Sequence, residues 1–118
     1  MATMTSMHTG AMAECIDHCS RCHAICVETI SHCLKQGGEH ADPAHIRLLE
    51  DCAQICATSA DFMLRGSDLH GSTCGVCAEV CLRCAESCER FAGDDMMREC
   101  AEQCRQCAES CRKMSRAA

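Results

Sequence analysis

The amino-acid sequence predicts an all-α protein, an antiparallel up-down-up-down four-helix bundle with a cysteine-lined core. The 16 cysteines of the 118-residue chain recur mainly at alternating steps of three and four residues, which place side chains on one stripe of an α-helix. Three glycine-containing breaks divide the chain into four segments. No segment shows the alternation of apolar and polar residues that is typical of strands.

The first helix is predicted over residues 8–36 and the second over residues 43–65. Gly37 stops the first helix, because glycine readily adopts the left-handed conformation that follows many helix C-termini. Asp42 is a suitable N-cap for the second helix, and Pro43 suits its first position, where the missing N–H costs nothing. A short turn therefore joins the two helices.

The third helix is predicted over residues 68–92 and the fourth over residues 95–115. Gly66 ends the second helix, and Gly93 with the aspartates after it combines a stop with a capping signal. Short connections make consecutive helices antiparallel neighbours, which gives the up-down-up-down order. We expect residues 1–118 to form one domain, because the chain is too short to build a second sizeable core.

Cysteine takes the stripe positions that leucine or isoleucine occupy in an ordinary bundle core. The chain has two phenylalanines and no tyrosine or tryptophan, so aromatic rings cannot fill the interior. The second segment has fewer cysteines, and Ser59 stands on its stripe where a further thiol is expected. We predict that the thiols of all four helices face one another and bind metal. These cysteines are Cys15, Cys19, Cys22, Cys26, Cys33, Cys52, Cys56, Cys74, Cys77, Cys81, Cys84, Cys88, Cys100, Cys104, Cys107 and Cys111.

Thiolates are soft ligands that favour copper(I), zinc and iron–sulfur clusters. Zinc prefers isolated sets of four ligands. Bacterial ferredoxin motifs end in a cysteine followed by proline, whereas the only proline here, Pro43, lies far from any cysteine. Copper(I) accepts two or three thiolates, and thiolates bridge neighbouring ions, so a row of sulfurs can hold a row of metals. The pattern favours copper(I); the alternatives are an iron–sulfur or electron-transfer protein and a zinc–thiolate store.

Bridging predicts a capacity near one ion per cysteine, on the order of 10–20 copper(I) ions per chain. Sensors and chaperones need one or a few exchangeable ions, so this capacity suits storage and detoxification. No recognisable motif places a general base and an orienting acid beside a cysteine, and we predict no enzymatic activity.

The four stripes continue beyond the cysteines and distinguish the two ends of the bundle. One end gathers imidazole and thioether groups, which are further ligands for copper(I), and we expect copper to enter there. Its side chains are His8, Met12, Met63, His70 and Met114. We expect the opposite end to be plugged mainly by apolar side chains. These are Leu49, Phe91 and Met97, with His45 beyond them.

Two further sets of side chains lie beside the stripes. Three histidines of the first helix are expected to be surface or flanking residues. These are His18, His23 and His32. Three large apolar residues repeat every seven positions on the second helix, where they either complete the core of the monomer or form a subunit interface. The many small residues of the third and fourth helices favour the interface, because they leave little for these side chains to pack against internally. The three large residues are Leu48, Ile55 and Phe62.

Charge and hydropathy exclude several classes of partner. The formal net charge of −6 argues against nucleic acid, because phosphates require a basic surface. No apolar stretch is long enough to span a bilayer. The first 13 residues lack the basic start and apolar run of a secretory signal. We therefore expect a cytoplasmic location, where thiols stay reduced and dense cysteines indicate metal binding before disulfides.

The repeated Cys-x3-Cys and Cys-x2-Cys pattern on four helices closely resembles that of the bacterial cytosolic copper storage proteins. The resemblance covers essentially residues 8–115. It implies a four-helix bundle that binds many copper(I) ions in its core, and it implies tetramers of such bundles. It also implies that copper enters at a mouth that carries histidine and methionine, which agrees with the stripes.

Overall fold

The predicted four helices are present in the computed structural model, which describes residues 10–117. Helix α1 spans Gly10–Gln36, α2 spans Pro43–Leu64, α3 spans His70–Glu89 and α4 spans Asp95–Ala117; a single turn of 3-10 helix, Gly38–Ala41, lies between α1 and α2. Residues 10–117 contain no β-strand. The predicted all-α class is confirmed.

The helices pack in the predicted cyclic order, since α1 contacts α2 and α4 while α3 contacts α2 and α4. The connections set this order because they are too short to cross the bundle. The α1–α2 turn begins at Gly37, whose φ of 71° lies in the left-handed region that favours glycine. Asp42 caps α2 by accepting a hydrogen bond from the N–H of Ala44 at 3.1 Å, and Pro43 is the first residue of α2.

Helix α3 is shorter than the predicted 68–92 at both ends. Ser67 forms a turn in which its hydroxyl accepts a hydrogen bond from the N–H of Leu69 at 3.0 Å, and α3 begins at His70. At the other end the chain leaves the helix after Glu89 and turns the ring of Phe91 towards the core. At each end of α3, a turn competes with the terminal hydrogen bonds of the helix, and the helix is shortened there.

The core consists mainly of sulfur-containing and small side chains. All 16 cysteines have 0% exposure, and the largest fully buried apolar side chains beside them are Leu49, Met63 and Met97. The charged residues lie outside, as in the Glu79–Arg83 ion pair of 2.7 Å along α3. None of the helices in the described part of the chain has the length and apolar character of a transmembrane span.

Candidate metal centre

The thiols of α1 and α4 form one row of contacts along the bundle. The sulfur of Cys111 lies 3.6 Å from that of Cys15 and 3.5 Å from that of Cys19. Cys107 continues the row with a sulfur–sulfur distance of 3.6 Å to Cys19. The alternating three- and four-residue spacing on both helices keeps these sulfurs on facing stripes.

The thiols of α2 and α3 form a second row. The sulfur of Cys81 lies 3.6 Å from both Cys52 and Cys56, and Cys56 also lies 3.7 Å from Cys77. Cross-contacts join the two rows: Cys22 approaches Cys52 at 3.7 Å, and Cys56 approaches Cys107 at 3.8 Å. The two rows are therefore one connected body of thiols.

The connected thiols include five overlapping groups of four, in each of which the sulfurs lie within 4.8 Å of one another. Each group shares two thiols with the next along the bundle. In axial order they are Cys26-Cys84-Cys100-Cys104, Cys22-Cys26-Cys52-Cys104, Cys22-Cys52-Cys56-Cys81, Cys56-Cys77-Cys81-Cys107 and Cys19-Cys77-Cys107-Cys111. This sharing allows one thiolate to bridge ions of neighbouring groups.

The separations between sulfurs match those of a metal–thiolate cluster. With a metal–sulfur bond of about 2.3 Å, two sulfurs on one ion lie about 3.8–4.6 Å apart, depending on the angle between them. The sulfur–sulfur contacts along the rows, such as 3.6 Å for Cys52–Cys81 and 4.0 Å for Cys26–Cys104, are close to this range. All 16 cysteines are free thiols. Metal binding therefore requires small side-chain shifts and no rearrangement of the helices.

Burial opposes the ionisation of a thiol, because it penalises the charged form. Desolvation raises the pKa of Cys33 to about 11, and the nearby Cys100 adds to the effect. Hydrogen bonds with Cys100 and Cys84, together with burial, raise the pKa of Cys88. A metal ion must displace protons from such thiols, so binding is coupled to proton release.

The end at which we expect copper to enter is formed by the start of α1, the end of α2, the start of α3 and the end of α4. Met63 is fully buried and Met114 is 7% exposed, while Met12 and His70 are partly exposed. The ring atom Nδ1 of His70 is buried and has no hydrogen-bond partner among the described residues. His8 lies outside the described residues. Ser59 is fully buried on the α2 stripe.

The opposite end differs from the expectation at one residue. Leu49 and Met97 are fully buried there and Phe91 packs against the core, as expected for an apolar plug. His45, however, does not lie beyond the plug, because it is 1% exposed and its Nε2 is 3.4 Å from the sulfur of Cys33. The signal was present in the sequence, since steps of four and three carry the α2 stripe back from Cys52 through Leu49 to His45.

The three histidines beside the α1 stripe are partly exposed and hydrogen-bonded to neighbouring helices or turns. The Nδ1 atom of His18 pairs with the hydroxyl of Ser110, and that of His23 lies 2.8 Å from the carbonyl oxygen of Ala53. His32 binds the carboxylate of Asp94 at 2.7 Å. This agrees with a flanking position for all three.

Comparison with known proteins supports the geometric interpretation. The profile of the family described as "Copper storage protein" matches residues 8–116. A crystal structure of the Nmul_A1745 protein from Nitrosospira multiformis is 48% identical, with a TM-score of 0.87 over 92% of this chain and 97% of that one.

Two further similar structures contain copper. The Cu(I)-bound copper storage protein BsCsp3 is 32% identical, with a TM-score of 0.83 over 90% of this chain and 99% of that one. The Streptomyces lividans copper storage protein Ccsp, loaded with 10 copper equivalents, is 30% identical, with a TM-score of 0.80 over 99% of this chain and 92% of that one. Another structure of the Streptomyces lividans protein, with five coppers, is described as a cytosolic copper storage protein.

Proposed function

This chain belongs to the copper storage protein family, and we propose that it stores copper(I) in the thiol-lined interior of its bundle. One observation carries the proposal: 16 free thiols, all fully buried, include five overlapping groups of four along the bundle. Such a chain of shared thiols suits copper(I), because each thiolate can bridge two ions. The expected capacity is on the order of 10–20 ions per chain.

We propose that all 16 cysteines are ligands and that copper enters at the end formed by the start of α1 and α3. Additional ligands at this mouth are His8, Met12, Met63, His70 and Met114. The unpartnered Nδ1 atom of His70 supports this placement, because a buried nitrogen without a hydrogen bond gains from coordination. Residues 1–118 then act as one domain with a single interior store.

The proposed compartment is the cytoplasm, as described for the Streptomyces lividans relative. Thiols stay reduced there, which storage on thiolates requires. Storage is binding and release without turnover, so the proposed role is not enzymatic. Copper(I) is favoured over a zinc store or an iron–sulfur protein because the thiols form a continuous series rather than isolated sets of four.

The test is an anaerobic titration of the fully reduced protein with copper(I) in competition with a chromophoric copper(I) chelator. We expect on the order of ten or more tightly held ions per chain, from the bridging argument. Retention of fewer than about four ions, against that expectation, contradicts storage. A parallel titration with zinc should yield fewer bound ions, and a brown protein with broad visible absorption would instead indicate iron–sulfur clusters.

We also propose that the protein assembles as a homotetramer. The stripe formed by Leu48, Ile55 and Phe62 is only partly buried within the described chain, and Val27 and Val76 are about half exposed. Partly exposed apolar side chains of this kind favour contact between copies. Light scattering of the purified protein should give four times the chain mass of 12.8 kDa. A monomeric mass contradicts the assembly and leaves the storage proposal intact.

A further inference from the structure

The end of the bundle opposite the proposed mouth holds a donor set that differs from the thiol rows. The sulfur of Cys33 lies 3.4 Å from Nε2 of His45 and 3.6 Å from the thioether sulfur of Met97. Most core thiols instead contact one another. We infer that Cys33, His45 and Met97 form a separate copper(I) site that holds one ion, an inference that rests on the proposed storage function.

Three helices preorganise this site. Cys33 lies in the last turn of α1, His45 in the first turn of α2 and Met97 in the first turn of α4. Their side chains are 0%, 1% and 0% exposed, so they are held by packing on all sides. A site built on helix ends that already converge needs little ordering when an ion binds.

The imidazole of His45 is oriented as a ligand would be. Its Nδ1 atom lies 2.7 Å from the hydroxyl oxygen of Ser87, in the last turn of α3. In the tautomer that donates Nδ1–H to Ser87, the lone pair of Nε2 points at Cys33. Arg90 holds the same hydroxyl by donating a hydrogen bond at 3.3 Å. A hydrogen bond that fixes the far ring nitrogen is typical of metal-bound histidine.

The distances fit one ion placed among the three atoms. A metal–sulfur bond of about 2.3 Å and a metal–nitrogen bond of about 2.05 Å set the sulfur and nitrogen about 3.6 Å apart at a tetrahedral angle. The observed distance between Cys33 and His45 is 3.4 Å. A thioether favours a soft ion, so the set is better suited to copper(I) than to zinc.

The charge balance also fits a single ion. Binding displaces the thiol proton of Cys33 to solvent, and the resulting thiolate neutralises the charge of one copper(I) ion. His45 and Met97 add no charge, so the buried site carries none that is uncompensated. The ring of Phe91, with its centroid 5.2 Å from that of His45, shields the site from outside. We expect this ion to be mononuclear, in contrast to the bridged ions of the rows.

The experiment begins with the wild-type protein. Its His45 ring nitrogens are followed by long-range proton–nitrogen NMR while copper(I), which is diamagnetic, is added anaerobically. We expect the Nε2 resonance to shift on loading while Nδ1 keeps its bond to Ser87. An Nε2 resonance that does not move at full loading overturns the site.

Three variants extend the test, and the two ligand variants have matched controls. His45→Gln and Met97→Leu should each hold about one ion fewer than wild type, whereas His23→Gln and Met96→Leu should keep the full count. Ser87→Ala leaves the ligands in place but frees the ring, and should weaken this one ion by about 10- to 100-fold. Full counts in both ligand variants overturn the site.

The failure of this site can be told apart from failure of storage. If wild-type protein loads fully and His45 is unaffected, only the mixed-donor site is wrong, and His45 is a hydrogen-bonded core residue. If wild-type protein retains only a few ions, the storage function itself fails. Should His45→Gln not fold, the wild-type NMR signal and Met97→Leu still decide the question.

Discussion

The two ends of the bundle each carry a histidine on a ligand stripe, yet the two rings are held differently. At the proposed mouth, Nδ1 of His70 has no hydrogen-bond partner among residues 10–117, and the side chain is partly exposed. At the other end both nitrogens of His45 are engaged, one by Ser87 and one by Cys33, and the ring is buried. An unpartnered ring suits the capture of arriving ions, whereas a fixed ring suits the retention of one ion.

The middle of the bundle differs from both ends, because its donors are uniform and shared. Each of the five groups of four thiols has two members in common with the next, and these shared thiols can bridge neighbouring ions. Identical thiol donors allow a variable number of copper ions to bind, whereas the three different donors Cys33, His45 and Met97 define the position of one ion. The following predictions test this contrast, starting with the largest effect.

The largest effect is the release of protons on loading. We expect full loading to release on the order of ten protons per chain, because each buried thiol becomes a thiolate. Since the pKa of Cys33 is raised to about 11, this thiol is neutral at pH 7. An ion that displaces one proton should bind about tenfold more weakly for each unit by which the pH falls. Titration in weakly buffered solution with a pH electrode measures the count; release of only one or two protons contradicts the thiolate store.

The second prediction concerns the shared thiols in the middle. The double variant Cys52→Ser and Cys56→Ser removes both thiols of α2 and interrupts three of the five overlapping groups described above. We expect a loss of at least about two ions, because each thiolate contributes near one ion and also bridges others. Metal analysis after anaerobic gel filtration measures the loss. Cys33→Ser, at the end of the bundle, is the comparison and should lose about one; equal losses in the two variants contradict sharing.

The third prediction adds a ligand to the row. The hydroxyl oxygen of Ser59 is fully buried and 3.3 Å from the sulfur of Cys74. Ser59→Cys should raise the capacity by about one ion, because the new thiol meets an existing one. Ser31→Cys places a thiol on the exposed surface of α1 and should leave the number of buried ions unchanged. The copper count of both variants under chelator competition tests the prediction, which an unchanged count in Ser59→Cys would refute.

The fourth prediction separates the two histidines by kinetics. His70→Gln should load copper(I) several-fold more slowly at unchanged final capacity, because the residue acts on arriving ions. His45→Gln should load at the normal rate and stop about one ion short, as the mixed-donor site requires. Stopped-flow measurement of the thiolate-to-copper absorption gives the rate. If His70→Gln loads as fast as wild type, this histidine has no role at the mouth.

The smallest effect concerns the free energy of unfolding, at the end of the bundle that contains His45. Asp94 caps α4 by accepting a hydrogen bond from the N–H of Met96 at 3.0 Å, and its carboxylate also binds His32 and His40. Asp94→Ala should lower the free energy of unfolding of the apo protein by about 1 kcal/mol, as is usual for a lost cap. Chemical denaturation followed by circular dichroism measures it, with Asp42→Ala at the start of α2 as the comparison.

The same cap should be sensitive to acid. The hydrogen bond from His32, with that from the N–H of Met97 and that from His40, lowers the pKa of Asp94 to about 2. Because this pKa is lower in the folded than in the unfolded state, the carboxylate stabilises the fold above about pH 4 and loses that contribution between about pH 4 and pH 2. Wild-type protein should therefore lose more stability over this interval than Asp94→Ala. Parallel acid dependence in the two proteins would contradict this role.

Most of the fold could be predicted because the cysteine stripe and the helix signals agree. Gly37, Asp42 and Pro43 mark a helix boundary by local chemistry, and each behaves as expected in the structure. The ends of α3 could not be predicted to the residue. At the start, the hydroxyl of Ser67 competes with the helix by accepting a hydrogen bond from the N–H of Leu69. At the end, Phe91 packs against the core, a contact that the local sequence does not specify. The place of His45 was missed for a different reason: the α2 stripe runs back from Cys52 through Leu49 to His45, but the sequence does not show that Cys33 and Ser87 of other helices meet the ring there.

The sequence by itself determined that four amphipathic helices present cysteine on their inner faces, because helical periodicity alone aligns residues at steps of three and four. Only the tertiary structure decided which thiols meet across helices and which groups share members. It also placed His45 between Cys33 and Ser87, from three different helices. The physical reason is that periodicity assigns a residue to a face of its own helix, whereas partners across the core depend on the axial register and side-chain conformations of all four helices together.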